Sequence, residues 1–390
     1  MISVAEALEH LFALVQPMEI ETVPLRNAAG RVLAQEVAAT RTQPPFDASS
    51  MDGYALRRTE VEPDAMFKVV GEAAAGHGFS GSVSPGQCVR IFTGAPMPSD
   101  TDFVVIQEDV TRRGDLITLN RDVDSKDNVR PAGGDFKLGD VVSSPKRLGP
   151  SDVALLAAMN CADVPVARRP RVAIMATGDE LVMPGETPSP DQIIASNSFG
   201  LAAQLEAAGA LPQMMPIAKD TPEALKAVFE LAAASDLIVT IGGASVGDHD
   251  LVAPVAAELG MEQSFYKVAM RPGKPLMAGR LRGVPMIGLP GNPVSALVCG
   301  TIFVVPVVSA MLGLGARPIS QRTAPLAAPL SKNGPREHYM RAEMTTNGLR
   351  AFDRQDSSLL GVLAQADALL VRPPHDLERN IGEVVSYLPL

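Results

Sequence analysis

The sequence predicts a multi-domain α/β plus β fold. Its parts are a central, doubly wound and mostly parallel α/β domain, a mostly β insertion domain, a helical linker region and a C-terminal small β-barrel-like domain. Three observations lead to this prediction. The chain has 390 residues, which is too long for one ordinary core. Apolar strand-like runs alternate with helical segments over 170–315. Short apolar runs separated by turns fill 41–142 and 316–390.

The linker region begins with a predicted helix over 3–16. Ser3 is placed to cap it, and Glu6 follows three residues later, which is the spacing of a capping box. Apolar residues recur at helical spacing and define one face that can be buried: Val4, Leu8, Leu11 and Val15. A further helical segment precedes the α/β region, so 1–40 and 143–169 are assigned to one discontinuous helical linker domain.

The insertion domain is predicted over 41–142. Its apolar runs have the length of strands, and Pro and Gly separate them: MFKVVGE, GQCVRIFTG, DFVVIQED and DLITLN. The same features predict the C-terminal domain over 316–390, where the runs include REHYMRAEM and ALLVRPP. Both regions are therefore expected to form β domains separate from the α/β domain.

The α/β domain is predicted over 170–315. Its elements follow in the order strand 171–176, helix 199–208, strand 213–217, helix from Thr221, strand 236–241, helix 251–259, strand 265–269, strand 285–288 and a long apolar helix. Apolar strands that alternate with helices are typical of a parallel, doubly wound sheet. Such sheets bind ligands at the carboxyl ends of their strands.

The long apolar segment 294–314 is long enough to cross a membrane. However, Pro293 opens it, Pro306 interrupts it, and it follows an α/β pattern. A buried core or dimer helix is therefore favoured over a membrane span.

The composition excludes several classes of protein. The chain has no Trp, four Tyr and a net charge of −10, which disfavours nucleic-acid binding because phosphate contacts need clustered Lys and Arg. Its three cysteines, Cys88, Cys161 and Cys299, have no Cys-x-x-Cys spacing and fit reduced thiols. The acidic N-terminal segment does not resemble a signal peptide. We therefore expect a cytoplasmic protein with neither nucleic-acid nor membrane partners.

Three Gly-rich loops follow consecutive strands of the α/β domain, around Thr177, Gly242 and Gly291. Glycine lets the backbone approach a ligand, and amide groups at a helix start attract anions. Thr177 and Ser245 add hydroxyl donors. None of the loops matches the P-loop or Rossmann pattern. The loops predict an anionic, phosphate-bearing ligand, although simple tight turns remain an alternative.

Carboxylates flank these loops: Asp179, Glu180, Asp220, Asp248 and Asp250. Acidic groups beside a phosphate would repel it unless they held a divalent cation, and oxygen ligands suit Mg²⁺. The segment Asp248-His249-Asp250 also leaves open a transition metal or an exposed polar turn. A magnesium site is the favoured interpretation.

Positive charge for an anion is available in Arg271-Pro272-Gly273-Lys274-Pro275. Proline stiffens the segment, so the two cations are expected to be held in place. A solvated turn is the alternative interpretation. The position after a strand of the α/β domain favours ligand binding.

Six segments, taken in order, resemble the molybdopterin molybdenumtransferase family of the MoeA type, which includes the gephyrin E domain. They are PPFDASSMDGYA (44–55), RIFTGAPMP (90–98), ATGDEL (176–181), GGASVGDHD (242–250), RPGKP (271–275) and GLPGNPVSA (288–296). The resemblance covers essentially the whole chain.

The resemblance implies a reaction and an assembly. Molybdate is inserted into adenylylated molybdopterin, AMP is released, and Mg²⁺ assists. The family's fold implies an elongated homodimer whose active cleft lies between the α/β domain of one subunit and the β insertion of the other. A molybdopterin adenylyltransferase and molybdoenzyme maturation factors are further partners implied by this pathway.

The resemblance also carries over site residues. The catalytic set is Asp52, Glu180, Asp220 and Asp250, and the last three are also the expected metal ligands. The expected substrate-binding residues are Thr93, Arg130, Asp135, Thr177, Gly243, Ser245, Arg271, Lys274, Pro290, Pro293, Arg336 and Ser357. The C-terminal pair Arg336 and Arg341, with Tyr339 between them, resembles the family's Arg-x-x-aromatic-x-Arg element.

The chain departs from the family pattern at three places. Ala244 replaces a common Val, Gly134 replaces a usual Glu, and Asp356-Ser357-Ser358 replaces a more Gly-rich loop. Two other functions stay open as alternatives: a scaffold or receptor-anchoring protein of the gephyrin type, and a molybdopterin adenylyltransferase. The β insertion and the C-terminal domain disfavour the latter.

Overall fold

The computed structural model describes residues 1–243 and 251–390. Its first element is the helix Val4–Ala13, which begins after Ser3 as predicted. The Ser3 hydroxyl accepts a hydrogen bond from the Glu6 amide at 3.2 Å, and the Glu6 carboxylate accepts one from the Ser3 amide at 2.7 Å. This capping box satisfies two amides that the helix cannot pair itself. The predicted apolar face is buried at Val4, Leu8, Leu11 and Val15.

A four-stranded antiparallel sheet joins the two halves of the linker region. Its strands, in spatial order, are Ile20–Pro24, Asp163–Ala167, Val32–Leu33 and Lys146–Arg147. The helix Pro150–Ala158 packs Leu156 into the same core. The sequence predicts the helices of this region but not the sheet, because the strands are short and pair across the whole insertion.

The insertion contains a six-stranded sheet. Its strands, in spatial order, are Phe103–Ile106, Gly53–Leu56, Gln87–Ile91, Met66–Ala73, Leu116–Leu119 and Val110–Arg113. All neighbours are antiparallel except the third and fourth, which are parallel. Two ribbons with two residues in each strand accompany this sheet: Ala48–Ser49 with Val129–Arg130, and Val37–Ala38 with Val141–Val142.

The α/β region contains a second six-stranded sheet. Its strands, in spatial order, are Leu211–Met214, Arg171–Ala176, Leu237–Ile241, Val284–Leu289, Met277–Leu281 and Met261–Tyr266. The first four are parallel, and the fifth alone runs the other way, as one arm of a hairpin. The fifth strand was not predicted, because Gly279 and Arg280 interrupt its apolar pattern. The last strand ends at Tyr266, which places it earlier than the predicted 265–269.

Helices cover both faces of this sheet, so the doubly wound prediction is confirmed. Alternate strand residues enter different cores: Val172 and Ile174 one of them, Ala173 and Met175 the other. The helix Asn197–Ala208 covers the first face. The helices Pro222–Ala232 and Val252–Glu258 cover the second. A two-stranded ribbon, Leu181–Val182 with Ile193–Ile194, lies between the first strand and its helix.

The long apolar helix consists of three segments, Pro293–Cys299, Gly300–Val304 and Val305–Met311, and the middle one is a π-helix. Pro306 lacks an amide hydrogen, and the wider π turn accommodates that missing bond. By length and composition the helix could cross a membrane, with a mean hydropathy of 2.2, but 78% of it is buried inside the protein. It also contributes to the core on the first face of the α/β sheet, as the buried-helix interpretation predicted.

The C-terminal region is a small β-barrel. Its strands, in order around the barrel, are Gly348–Ala351, Glu337–Thr345, Ala368–Arg372, Val384–Pro389 and Arg322–Pro325. A bridge between Leu326 and Leu349 closes the ring. The short helix Leu360–Leu363 precedes the third strand. One more strand, Met270–Arg271, comes from the α/β region and pairs in parallel with the start of Glu337–Thr345.

Candidate functional site

The three Gly-rich loops meet at the carboxyl ends of the parallel strands. The Gly242 amide donates to the Leu289 carbonyl at 3.1 Å, which ties the second loop to the third. A methyl group on Gly242 would lie 3.0 Å from the Thr177 carbonyl oxygen and 3.1 Å from its hydroxyl. A methyl group on Gly291 would lie 3.5 Å from the Gly242 Cα. Gly242 also has a φ of +91°, which side chains other than glycine rarely adopt. The structure therefore brings these three predicted loops together.

Two of the predicted carboxylates lie on neighbouring loops. Thr177 and Ala218 form a parallel bridge, and the Gly178 amide donates to the Ala218 carbonyl at 3.1 Å. The Asp220 amide donates to Asp179 Oδ1 at 3.3 Å. The Glu180 carboxylate folds back over Gly178, where it occupies the space of a Cβ. Glu180 and Asp220 are thus presented beside Thr177.

Several predicted residues fall in the part of the chain that the structure does not describe. Ser245, Asp248 and Asp250 all lie within 244–250, outside the described residues. Gly243, the last residue before this segment, is partly exposed beside Gly242. The predicted roles of Ser245 and Asp250 therefore stay predictions.

The segment 271–275 is fixed between the α/β sheet and the barrel. Arg271 pairs with His338 of the barrel, and Gly273 packs directly against Cys299 of the long helix. Gly273 has a φ of +104°, so both its conformation and its contact require glycine. The segment's centre is buried, whereas the side chains of Arg271 and Lys274 are exposed. The two exposed cationic residues thus flank a buried backbone segment.

The third Gly-rich loop connects the strand-end loops to the barrel. Asn197 Nδ2 donates to the Gly291 carbonyl at 2.7 Å. Three residues further on, the Val294 amide donates to the carbonyl of Ser357 at 3.0 Å. Pro290 is buried in this loop, and Pro293 is partly exposed at the start of the helix. Pro293, at the start of the helix, and Ser357 therefore lie at the same contact between the loop and the barrel.

Arg336 lies on the opposite side of the same junction. Its Nη1 donates to the Met270 carbonyl at 3.3 Å. This bond places the side chain beside the backbone that continues into Arg271. The barrel thus contributes Arg336 and Ser357 to the surface that carries Arg271 and Lys274.

Arg341 is a charged residue within this junction, and it is completely buried, with 0% of its surface exposed. Its Nη2 donates to the carbonyls of Arg354 and Asp356, at 3.1 Å each. Its Nε and Nη1 have no hydrogen-bond partner among the described residues. Burial lowers the pKa of Arg341, Asp356 raises it, and Arg271 lowers it further. Buried unpaired donors are costly, so these two lack a partner that the described residues do not supply.

The sequence associates Arg341 with the site only through the family resemblance. Its burial could not be predicted, because Glu337–Thr345 mixes polar and apolar residues on both faces. The one available signal is its position on the strand: Tyr339, two residues earlier, is buried in the core shared with the α/β region. Arg341 therefore shares the strand face of Tyr339.

His338 lies among four arginines at the same junction. Burial, together with the charges of Arg271, Arg341, Arg372 and Arg336, lowers the pKa of His338 to about 4. The imidazole is consequently neutral at physiological pH. It therefore adds no further positive charge to this group of arginines.

We expect the buried His338 to reduce stability as the pH falls. The unfolded chain binds this proton near pH 6.5, whereas the folded chain binds it only near pH 4. Stability that is present above pH 6.5 is therefore lost towards pH 4, by up to about 1.4 kcal/mol per pH unit. Denaturant titrations at pH 7 and pH 5 should show a smaller loss for His338→Gln than for the wild type. Equal losses would contradict this interpretation.

The insertion holds a separate group of predicted residues, centred on Asp52 and Thr93. Asp52 Oδ1 accepts hydrogen bonds from the Thr93 amide and from the Thr93 hydroxyl, both at 2.8 Å. These bonds, together with the charge of Arg90, lower the pKa of Asp52. Asp52 is thus an ionised carboxylate with one oxygen fixed.

Arg130 and Asp135 belong to the same end of the insertion. Arg130 pairs with Ala48 in a short ribbon, and Ala48 also bridges to Pro96, close to Thr93 in the chain. The Asp135 amide donates to the Gln43 carbonyl at 3.1 Å. Both side chains are exposed. The backbone therefore ties together the segments that carry Asp52, Thr93 and Arg130, with Asp135 on the adjoining loop.

In the described part of the chain, the insertion group and the α/β group are separate. Among residues 1–243 and 251–390, no hydrogen bond or ion pair joins 41–142 to 170–390. The structure thus assembles the predicted residues into two groups, one on the insertion and one at the junction of the α/β region and the barrel.

Comparison with known families places all three regions of the chain. Residues 2–160 match the MoeA N-terminal region (domain I and II), residues 173–310 match a probable molybdopterin binding domain, and residues 323–390 match the MoeA C-terminal region (domain IV).

Individual relatives give the same result. A molybdopterin molybdenumtransferase from Nostoc sp. is 36% identical, and the alignment covers 100% of this chain and 94% of the relative. Molybdopterin molybdenumtransferase 2 from Mycobacterium tuberculosis is 33% identical, with 94% of this chain and 92% of the relative covered. The crystal structure of a molybdopterin biosynthesis MoeA protein from Pyrococcus horikosii has a TM-score of 0.83 at 30% identity, with 100% of this chain and 99% of that chain covered.

Proposed function

Because the chain belongs to the molybdopterin molybdenumtransferase family, and is thus a transferase of molybdenum cofactor biosynthesis, we propose that it inserts molybdate into adenylylated molybdopterin and releases AMP. The observation that carries this proposal is the third Gly-rich loop. It contacts the Gly242 loop at Gly291 and the barrel at Val294. This loop therefore joins two parts of the proposed site. The loop cluster consists of the Gly-rich loops around Thr177, Gly242 and Gly291, and the cationic pocket is the region of Arg271, Lys274, Arg336 and Arg341 beside the barrel.

The loop cluster binds the phosphate-bearing part of the substrate in this proposal. Thr177 supplies a hydroxyl beside Gly242, and Gly243 continues the same exposed backbone. Ser245, by family resemblance, adds a second hydroxyl. Backbone amides and hydroxyls at strand ends can bind phosphate without an added positive charge.

The cationic pocket binds molybdate, which is a substrate and a dianion. Arg271 and Lys274 are exposed on their buried support, and Arg336 and Ser357 border it from the barrel. Arg341 is fully buried and binds the Asp356 carbonyl, and its two unpaired donors would be satisfied by an oxyanion that entered this junction. Charge-assisted hydrogen bonds of this kind are stronger than neutral ones, and they orient the bound anion.

Mg²⁺ is a further component of the proposal. Among the described residues, no three acidic, His or Cys side chains form a metal cage. The carboxylates of Glu180 and Asp220 nevertheless fit Mg²⁺, which commonly takes only one or two carboxylates together with water and phosphate oxygens. They would hold the ion beside Thr177, with Asp250 as the third expected ligand. When bound, it would offset the negative charge of the phosphate.

A homodimer completes the site in this proposal. Asp52 and Thr93 are fixed to each other, but no hydrogen bond among the described residues connects the insertion to the α/β region of the same chain. The insertion of a second subunit would bring Asp52, Thr93, Arg130 and Asp135 to the loop cluster. Asp52 would then orient the reacting groups through the carboxylate oxygen that Thr93 does not bind.

The test is a direct assay of AMP release. Purified protein is incubated with adenylylated molybdopterin, with and without molybdate and Mg²⁺, and AMP is quantified by chromatography. We expect AMP only when both are present. Binding of the substrate without AMP release under these conditions would overturn the proposal. AMP formation from ATP and free molybdopterin would instead indicate an adenylyltransferase.

A further inference from the structure

Arg90 lies between two aromatic rings on the insertion sheet. Its guanidinium carbon is 5.1 Å from the centre of the Tyr54 ring and 4.7 Å from that of the Phe92 ring. Tyr54 is the cross-strand partner of Arg90 in the antiparallel pair. A planar guanidinium stacks well on ring faces, so two rings restrict it to one orientation.

The same guanidinium is bound in its plane by two acceptors. Nη1 donates to the Gly53 carbonyl at 3.2 Å, and Nη2 donates to Gln107 Oε1 at 2.7 Å. The backbone amide of Gln107 in turn donates to the backbone carbonyl of Asp52 at 3.0 Å. Arg90 therefore binds the backbone of Gly53 directly and is connected to the backbone of Asp52 through Gln107.

Arg90 also acts on the other partner of the Asp52 pair. Phe92, which stacks on the guanidinium, immediately precedes Thr93 in the chain. Thr93 supplies both hydrogen bonds to Asp52 Oδ1. The charge of Arg90 contributes to the lowered pKa of Asp52, after the two bonds from Thr93. One side chain thus fixes both halves of the carboxylate–threonine pair and favours its ionised form.

We propose that Arg90 is a positioning residue for the transfer reaction: it holds Asp52 and Thr93 in the arrangement that faces the substrate, without touching the substrate itself. Lysine cannot replace it fully, because an ammonium group cannot both stack between two rings and donate in a fixed plane to two acceptors. The inference rests on the proposed function, which assigns Asp52 to the reaction.

A double-mutant cycle tests the proposal by molybdate-dependent AMP release from the full-length protein. We expect Arg90→Met to lower kcat roughly tenfold with little change in the KM for molybdate, and Arg90→Lys to fall between Met and the wild type. In the Asp52→Asn background, Arg90→Met should cause no further loss. A merely structural role would instead give independent, multiplicative losses.

Two further variants complete the design. Phe92→Leu removes one ring but keeps both hydrogen bonds of Arg90, so a smaller loss with the same dependence on Asp52 is expected even if Arg90→Met fails to fold. Arg121→Met is the matched control, because Arg121 is 81% exposed on the insertion and forms an ion pair with the exposed Asp64 at 3.1 Å. Its kcat should equal that of the wild type.

The outcomes separate the two claims. A defective Asp52→Asn protein with normal Arg90→Met and Phe92→Leu proteins overturns the inference and leaves the proposed function intact. A full additional loss from Arg90→Met in the Asp52→Asn background also overturns it. Normal kcat in Asp52→Asn removes Asp52 from the proposed reaction, and the positioning role of Arg90 is overturned with it.

Discussion

Mixing the Asp52→Asn and Asp220→Asn proteins should raise AMP release far above the low residual rate that each protein has alone. Each change inactivates a different half of the proposed site, one on the insertion and one beside the Thr177 loop. If the halves come from different subunits, a mixed dimer retains one intact site. Random exchange then gives about one quarter of wild-type activity, because half of the dimers are mixed and each has one working site of two. The measurement is AMP release after subunit exchange.

The matched control places both changes on the same half. Asp52→Asn mixed with Thr93→Val leaves every combination of subunits without an intact insertion group, since Thr93 binds Asp52 directly. No activity should return. Equal recovery in the two mixtures, or recovery in neither while a dimer is present, would contradict a site shared between subunits.

Arg341→Met should strongly weaken molybdate binding while the protein stays folded. Two charge-assisted hydrogen bonds contribute about 1.5–3 kcal/mol each, so the KM for molybdate should rise at least about a hundredfold. The apolar side chain also removes two buried donors that have no partner among the described residues. The melting temperature without molybdate should therefore change little, whereas the stabilisation that molybdate gives the wild type should disappear.

Arg350→Met is the control for this prediction. Arg350 lies in the same barrel, pairs with Glu343 and is more than half exposed. Exposed ion pairs contribute little to stability. Its KM for molybdate and its stabilisation by molybdate should match the wild type. If Arg341→Met keeps the wild-type KM for molybdate and the wild-type stabilisation by molybdate, the Nε and Nη1 donors of Arg341 do not bind molybdate.

Local patterns predict the α/β region well, because its strands and helices are long, apolar and clearly punctuated. The strand Arg171–Ala176 and the helix Pro222–Ala232 lie where the sequence places them. The strand Met277–Leu281 was missed because its residues do not show a continuous apolar run. Local information fails where pairing decides the structure, as in the linker sheet, whose two-residue strands have no pattern of their own.

The candidate site shows the same division. Three Gly-rich loops at strand ends predict a common edge, because parallel strands all end on one side of a sheet. The position of Arg271 against His338 could not be predicted, since it depends on a pairing between segments far apart in the chain. The arrangement of aromatic rings and acceptors around Arg90 also depends on a cross-strand partner, Tyr54. Chemistry can be predicted from motifs, but the supports of those motifs require the tertiary structure.

The strand Met270–Arg271 determines which segments must be exchanged together when the barrel is replaced by that of a relative. By chain continuity the barrel would be the segment after 316, yet one of its strands is supplied by the segment that carries Arg271 and Lys274. If the barrel of a relative replaced 316–390, its strand equivalent to Glu337–Thr345 would have to pair with Met270–Arg271 of this chain. Recombination between relatives therefore preserves the cationic pocket only when 270–275 and the barrel come from the same parent.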